Sequence, residues 1–209
     1  MNIQLNQTLC ALPKPYVTDF ELAHLLGGTP NSRYSKVKRL SANGTLVPIK
    51  KGLYVLGETV GHIAKPHPFE LAQRISFPSY ISLESALSYH QLIPEAVYVT
   101  TSVHAKRVKE FDTPLGKFSY DTLPSAYFYL GVERVDKNGY QFFIASPWKA
   151  IFDYIYVYKK NYKTLNDYLA SLRIERKDLP IITNDQIERF KNYYHRSRLT
   201  KILDTLKQE

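Results

Sequence analysis

A capping box followed closely by a second basic helix and a tight hairpin constrains this chain more than any other feature. In Thr18-Asp19-Phe20-Glu21 the Thr18 hydroxyl can accept from the Glu21 backbone while the Glu21 carboxylate reaches back, so a helix is expected to begin there. Val17 and Leu22 hold the hydrophobic-staple positions, and Leu22, Ala23, Leu25 and Leu26 supply an apolar face. Gly27-Gly28-Thr29-Pro30 is expected to stop it. A second helix is expected from about Asn31 to Asn43, with Val37 and Leu40 inward and Tyr34 and Ser41 flanking them. At about 100° per residue, Ser32, Ser35, Lys36 and Arg39 fall on the far side, Lys38 at its edge, and Arg33 nearer the apolar side. Asn43-Gly44 ends this helix. Thr45–Ile49 and Leu53–Leu56 then read as two strands joined by Lys50-Lys51-Gly52. Upstream, Ile3, Leu5, Leu9 and Leu12 fit a short helix that ends at Pro13 and Pro15.

Two short helices joined through a Gly-containing turn, the second basic on its exposed face, form a helix-turn-helix pattern, and the hairpin is a wing. Residues 1–60 are therefore expected to be a winged helix-turn-helix domain that binds double-stranded DNA. From Asn31 to Gly52 there are six basic residues and no acidic one. The residues expected to meet DNA are Ser32, Arg33, Ser35, Lys36, Lys38, Arg39, Lys50 and Lys51. Lys36 and Arg39 are expected at base edges, and Arg33, Lys50 and Lys51 on phosphates. Winged helices also act as protein–protein modules, but those usually lack a recognition helix of one charge sign. The net charge of +9 suits an anionic partner, although a solvated basic surface has the same composition.

The 209 residues, 44% of them hydrophobic and including 17 Tyr and 10 Phe, suffice for a small domain and a medium one. One cysteine, Cys10, allows neither an internal disulfide nor a cysteine metal cluster, and suits the cytoplasm. No secretory leader and no membrane span is expected. His24, His62, His67, His90, His104 and His195 have no metal-ligand spacing, and no Gly-rich phosphate loop occurs, so neither cofactor nor metal is expected.

A boundary is expected at 57–66, where Gly57, Gly61 and Pro66 cluster. Residues 66–209 read as a larger mixed α/β domain with a helical tail from about 164, giving an α+β chain overall. Phe69–Ile75 fits a short helix, and Tyr80–Leu87 a helix start with Ser82 as N-cap. Ala96–Thr101 and Phe118–Tyr120 fit strands. Ala126–Val135 and Tyr140–Ala145 fit a hairpin turning at Asn138-Gly139. Ser146-Pro147 opens a helix, and Thr164–Leu172 and Asp185–Leu206, broken near Ser197, read as the tail. Asp167 with Glu175 and Lys177 mimics a metal-dependent nuclease set, but solvated helix charges account for it better. Lys149 and Asp153 are i and i+4; an ion pair contributing about 0.2–0.5 kcal/mol is the preferred reading over a partner-touching surface.

The stretches YVTDFELAHLLG and KVKRLSANGTLVPIKKGLYVLG resemble the N-terminal winged helix of AbiEi-type antitoxins of bacterial type IV toxin–antitoxin systems. SYISLESALSYHQLIPEAVYVTTS and FFIASPWKAIFDYI resemble two further blocks of that family, so the likeness covers roughly residues 16–158. Trp148 departs from it, since an acidic or polar residue is more usual there. The resemblance implies a cytoplasmic autorepressor that binds inverted repeats in its own promoter. It also implies that the protein counters a toxin of nucleotidyltransferase fold without a stable complex, through the larger domain.

Overall fold

The computed structural model describes residues 3–61, 65–124, 126–159, 162–194 and 197–206. It is mixed α+β and divides into two compact units, Met1–Ile75 with Asp112–Leu115, and Ser76–Phe111 with Gly116–Glu209. Composition changes at 57–66, whereas the contacts divide the chain after Ile75.

In the first unit, α1 (Ile3–Cys10) leads to β1 (Tyr16–Thr18), α2 (Asp19–Leu26), α3 (Pro30–Ala42), β2 (Leu46–Lys50), β3 (Leu53–Leu56) and α4 (Pro68–Ile75). The strands form an antiparallel sheet in the order β1-β3-β2, with Pro48 on the edge strand, where a missing donor is tolerated. Leu9, Val17, Leu22, Leu46, Leu56 and Val60 form the core, and Leu25, Leu26, Val37 and Leu40 pack against it. Gly57 is fixed by space: a Cβ there would lie 1.7 Å from the Gly44 carbonyl oxygen. The buried Glu70 carboxylate of α4 accepts from Lys14 Nζ at 2.9 Å and from the Tyr16 hydroxyl at 3.3 Å, tying α4 to this unit.

The Thr18–Glu21 capping box forms in full. Gly27 alone, at φ +54°, stops α2. Thr29 and Pro30 instead start α3: Thr29 accepts from the Ser32 amide at 3.3 Å, and Pro30, lacking an N–H, takes the first helical position. β1 has no counterpart in the sequence reading, because its three residues overlap the cap of α2.

The second unit contains β4 (Ser79–Ile81), α5 (Leu83–Tyr89), β5 (Val99–His104), the first three residues of β6 (Lys109–Thr113), β7 (Gly116–Thr122), β8 (Val132–Lys137) and β9 (Tyr140–Ala145). Helices α6 (Pro147–Tyr158), α7 (Leu165–Ser171), α8 (Asn184–Tyr194) and α9 (Ser197–Thr205) follow. Its sheet runs β6-β7-β5-β4-β9-β8, parallel at β4/β9 and β5/β7, antiparallel at β4/β5 and β8/β9. The β8–β9 hairpin turns at Asn138 and Gly139, both at positive φ, as the Asn-Gly pair requires.

Ser82 is the N-cap of α5, as expected, and Tyr80 and Ile81 ahead of it form β4, which was not expected. Two strand starts are corrected. The strand expected from Ala96 begins at Val99, and the one expected from Ala126 at Val132. Short strands at the centre of a sheet carry too few residues to show a period of two.

Candidate nucleic-acid interface

No residue of α3 is fully buried, and only Arg33, Lys36, Val37, Leu40 and Ser41 are partly covered. A helix held on one narrow stripe leaves the rest of its circumference to solvent. Ser32, Ser35, Lys38 and Arg39 lie on that open side, and Lys51 is exposed in the β2–β3 turn. The side chains of Lys38, Arg39 and Lys51 make no hydrogen bond or ion pair among the described residues.

The other three candidate cations hold carbonyl oxygens. Lys36 Nζ donates to Leu26 O at 3.0 Å, and the Arg33 guanidinium donates to Gly28 O. Lys36 therefore satisfies a carbonyl at the C-terminal end of α2, where backbone acceptors lack helical partners, and Arg33 one in the turn that follows. Lys50 is the last residue of β2 rather than part of the turn, and its Nζ donates to Ile75 O at 2.6 Å, at the end of α4. Five of the eight residues singled out by sequence thus lie on the open surface, and Arg33, Lys36 and Lys50 brace helix ends and the α2–α3 turn.

Two aromatic residues of the first unit are also exposed. Tyr34 is 71% exposed, which corrects its expected place beside the buried face; it lies one turn from Lys38. Phe20 is 73% exposed and packs against His24 with the rings tilted and 4.6 Å between centroids. The available signal for Phe20 was its position inside the capping box, off the apolar stripe of α2. The β2–β3 turn is tied to α2 as well. The Asp19 amide donates to Gly52 O at 3.1 Å, and burial with the Asp19 carboxylate beside it pushes the Tyr54 hydroxyl up.

In the second unit, the Asp167 carboxylate accepts from the amides of Thr164 at 2.9 Å and Lys163 at 3.2 Å, which hold it below the usual range. It belongs to the capping box of α7. Glu175 and Lys177 form an exposed ion pair of their own at 2.5 Å. Among the described residues no three His, Cys, Asp or Glu side chains gather as metal ligands would.

Lys149 and Asp153 depart most from expectation. They are ion-paired at 2.9 Å, but neither side chain is exposed at all. Asp153 Oδ2 accepts from Tyr80 at 3.0 Å and Ser82 at 2.7 Å, and Oδ1 from Tyr194 at 2.6 Å. Lys149 Nζ lies 3.9 Å from the Tyr193 ring centroid and 4.8 Å from that of Tyr194. Burial pushes the lysine down, and Asp153 opposes the shift. The pair is an internal charge enclosed by tyrosines, not a partner-touching surface. Trp148 is also internal: its Nε1 donates to Pro180 O at 2.7 Å, and Arg176 lies over its ring.

No protein-family model matches the chain, and no curated protein matches it in sequence. Among the described residues no helix is long and apolar enough to cross a membrane.

Proposed function

We propose that the first unit is a winged helix-turn-helix that binds double-stranded DNA, with α3 in the major groove and the Lys51 turn on the backbone. The observation that carries this reading is the open face of α3. It presents Ser32, Ser35, Lys38 and Arg39, and no acidic residue occurs from Asn31 to Gly52. Hydroxyls and a guanidinium suit base edges, and unpaired lysines suit phosphates. Arg33, Lys36 and Lys50 serve this surface indirectly, by fixing the helices on which it stands.

On the likeness of its three sequence blocks, the protein is a repressor of its own promoter and an AbiEi-type antitoxin against a nucleotidyltransferase-fold toxin. Two of those blocks meet in one place: Tyr80 and Ser82 from one, and Lys149 and Asp153 from another, build the buried charge network. That convergence gives a physical reason for the matching residue types to occur together.

Fluorescence anisotropy with DNA from upstream of its own gene tests the binding reading. Affinity should fall steeply with salt, and Ser35→Ala/Lys38→Ala/Arg39→Ala should abolish promoter preference with the fold intact. The same variant, supplied from an independent promoter, should still rescue cells expressing the neighbouring toxin. A second reading, a protein-binding module, draws on exposed Phe20 and Tyr34. Salt-insensitive binding to a protein partner, lost in Phe20→Ala/Tyr34→Ala and with no DNA binding, would favour it.

A further inference from the structure

A groove of about 600 Å³ in the second unit brings carboxylates against tyrosine rings. Glu84 comes from α5, Glu95 from the loop before β5, and Glu110 from β6. Tyr154 and Tyr158 of α6 line it too, their ring centroids 4.6 Å apart, and the Tyr158 hydroxyl donates to Glu84 Oε2 at 3.1 Å. Tyr98 stands at the rim, 89% exposed. This acidity runs against the chain's net charge of +9. Glu95 already pairs with a cation of the chain itself, the Arg173 guanidinium, which leaves Glu84 and Glu110 for an incoming one.

We propose that this groove receives a lysine- or arginine-bearing segment of a protein partner. A carboxylate beside aromatic faces suits a cation on an apolar stem. The head pairs with Glu84 and Glu110, the exposed rings of Tyr98 and Tyr158 attract it through their quadrupole, and the methylenes cover those two rings. The carboxylates also repel one another: burial, then the charges of Glu84 and Glu110, raise the carboxyl of nearby Asp121, and an incoming cation relieves that strain. A peptide fits better than a small polyamine, because the groove exceeds one side chain in volume. It is also lined by residues 96–98, a backbone stretch without secondary structure that precedes β5. The proposal stands independently of the DNA reading.

The test is anisotropy of a labelled octapeptide of alternating Lys and Ala with the full chain. The peptide should bind, and Glu84→Gln/Glu110→Gln should weaken it about tenfold, the combined effect of two half-exposed ion pairs. Tyr98→Ala, on the exposed rim where folding is not at stake, should weaken it several-fold through the lost ring contact. Arg39→Ala/Lys51→Ala should leave it unchanged, which separates this outcome from any result with DNA. Unaltered binding by Tyr98→Ala together with the folded double Gln variant would overturn the proposal. So would equal binding of the Glu-Ala counterpart. Displacement by spermidine as effectively as by unlabelled peptide would also overturn it, by making the groove a polyamine site.

Discussion

Lys149 and Asp153, one turn apart on α6, form a 2.9 Å ion pair from which solvent is wholly excluded. An exposed pair at this spacing would contribute only about 0.2–0.5 kcal/mol. Here removing one partner strands the other charge inside the protein. Lys149→Met should therefore cost about 3–5 kcal/mol in urea unfolding. Trp148, the only tryptophan and the preceding residue, gives a local fluorescence signal. Adding Asp153→Leu should cost less than the sum of the two single losses, because the stranded charge goes with it. Strict additivity would show that the two groups do not interact.

His104 gives a pH prediction. Burial, then the charges of Lys109 and Lys106, hold its imidazole below the usual 6.5, and its Nδ1 accepts from the Lys106 amide at 2.8 Å. The folded value lies below the unfolded one, so on acidification the unfolded chain takes up the proton first. Stability is therefore full above about pH 6.5, falls as pH drops below it, and levels off beneath the folded value. His104→Gln should flatten this loss when urea midpoints at about pH 7.5 and pH 5.5 are compared. An equal drop in both proteins would assign the acid sensitivity to other groups.

Much of the first unit was legible because its signals are local. The Thr18–Glu21 box, the Gly27 stop and the Lys51-Gly52 turn each lie within a few residues, as does the Asn138-Gly139 hairpin of the second unit. Strands β1, β4 and β6 were not legible. The first two have three residues each, and pairing over distance rather than periodicity creates them. Face assignment on α3 was right for Ser32, Ser35, Lys38 and Arg39. It missed the reach of Lys36, because a helical wheel gives a direction but not the carbonyls a long side chain meets, and the hairpin reading missed the reach of Lys50 in the same way. The burial of Lys149 was hidden for a related reason. Its tyrosines come from β4 and α8, far apart in sequence.

Arg39 and Lys36 should separate cleanly. Arg39 has no protein partner among the described residues, so Arg39→Ala should cost about 1–3 kcal/mol in binding and relax preference at one operator position. Lys36 holds Leu26 O, so Lys36→Ala should chiefly lower the melting temperature of the first unit and weaken all DNA sequences alike. Operator and scrambled duplexes, compared by anisotropy, distinguish the two. A loss of selectivity on removing Lys36 with no thermal change would return it to the base-reading set.

The two lysines of the hairpin should differ in the same way, although they are adjacent in sequence. Lys51 is exposed in the turn with no partner among the described residues, so a phosphate meeting it displaces only water and counterions. Lys51→Ala should weaken binding to every sequence about equally and reduce the slope of log affinity against log salt by about 0.9. Lys50 is half-buried with its ammonium anchored on Ile75 O at 2.6 Å, which holds the charge at the end of α4 rather than at the tip of the turn. Lys50→Met, which keeps the apolar stem, should leave the salt slope unchanged. It should lower the stability of the first unit by about 1.5–3 kcal/mol, the range for a hydrogen bond to a charged group. Measuring the slope between about 50 and 200 mM salt covers the range in which such losses are large. If Lys50→Met reduces the slope as much as Lys51→Ala does, Lys50 leaves the end of α4 on binding DNA and both lysines clamp the backbone.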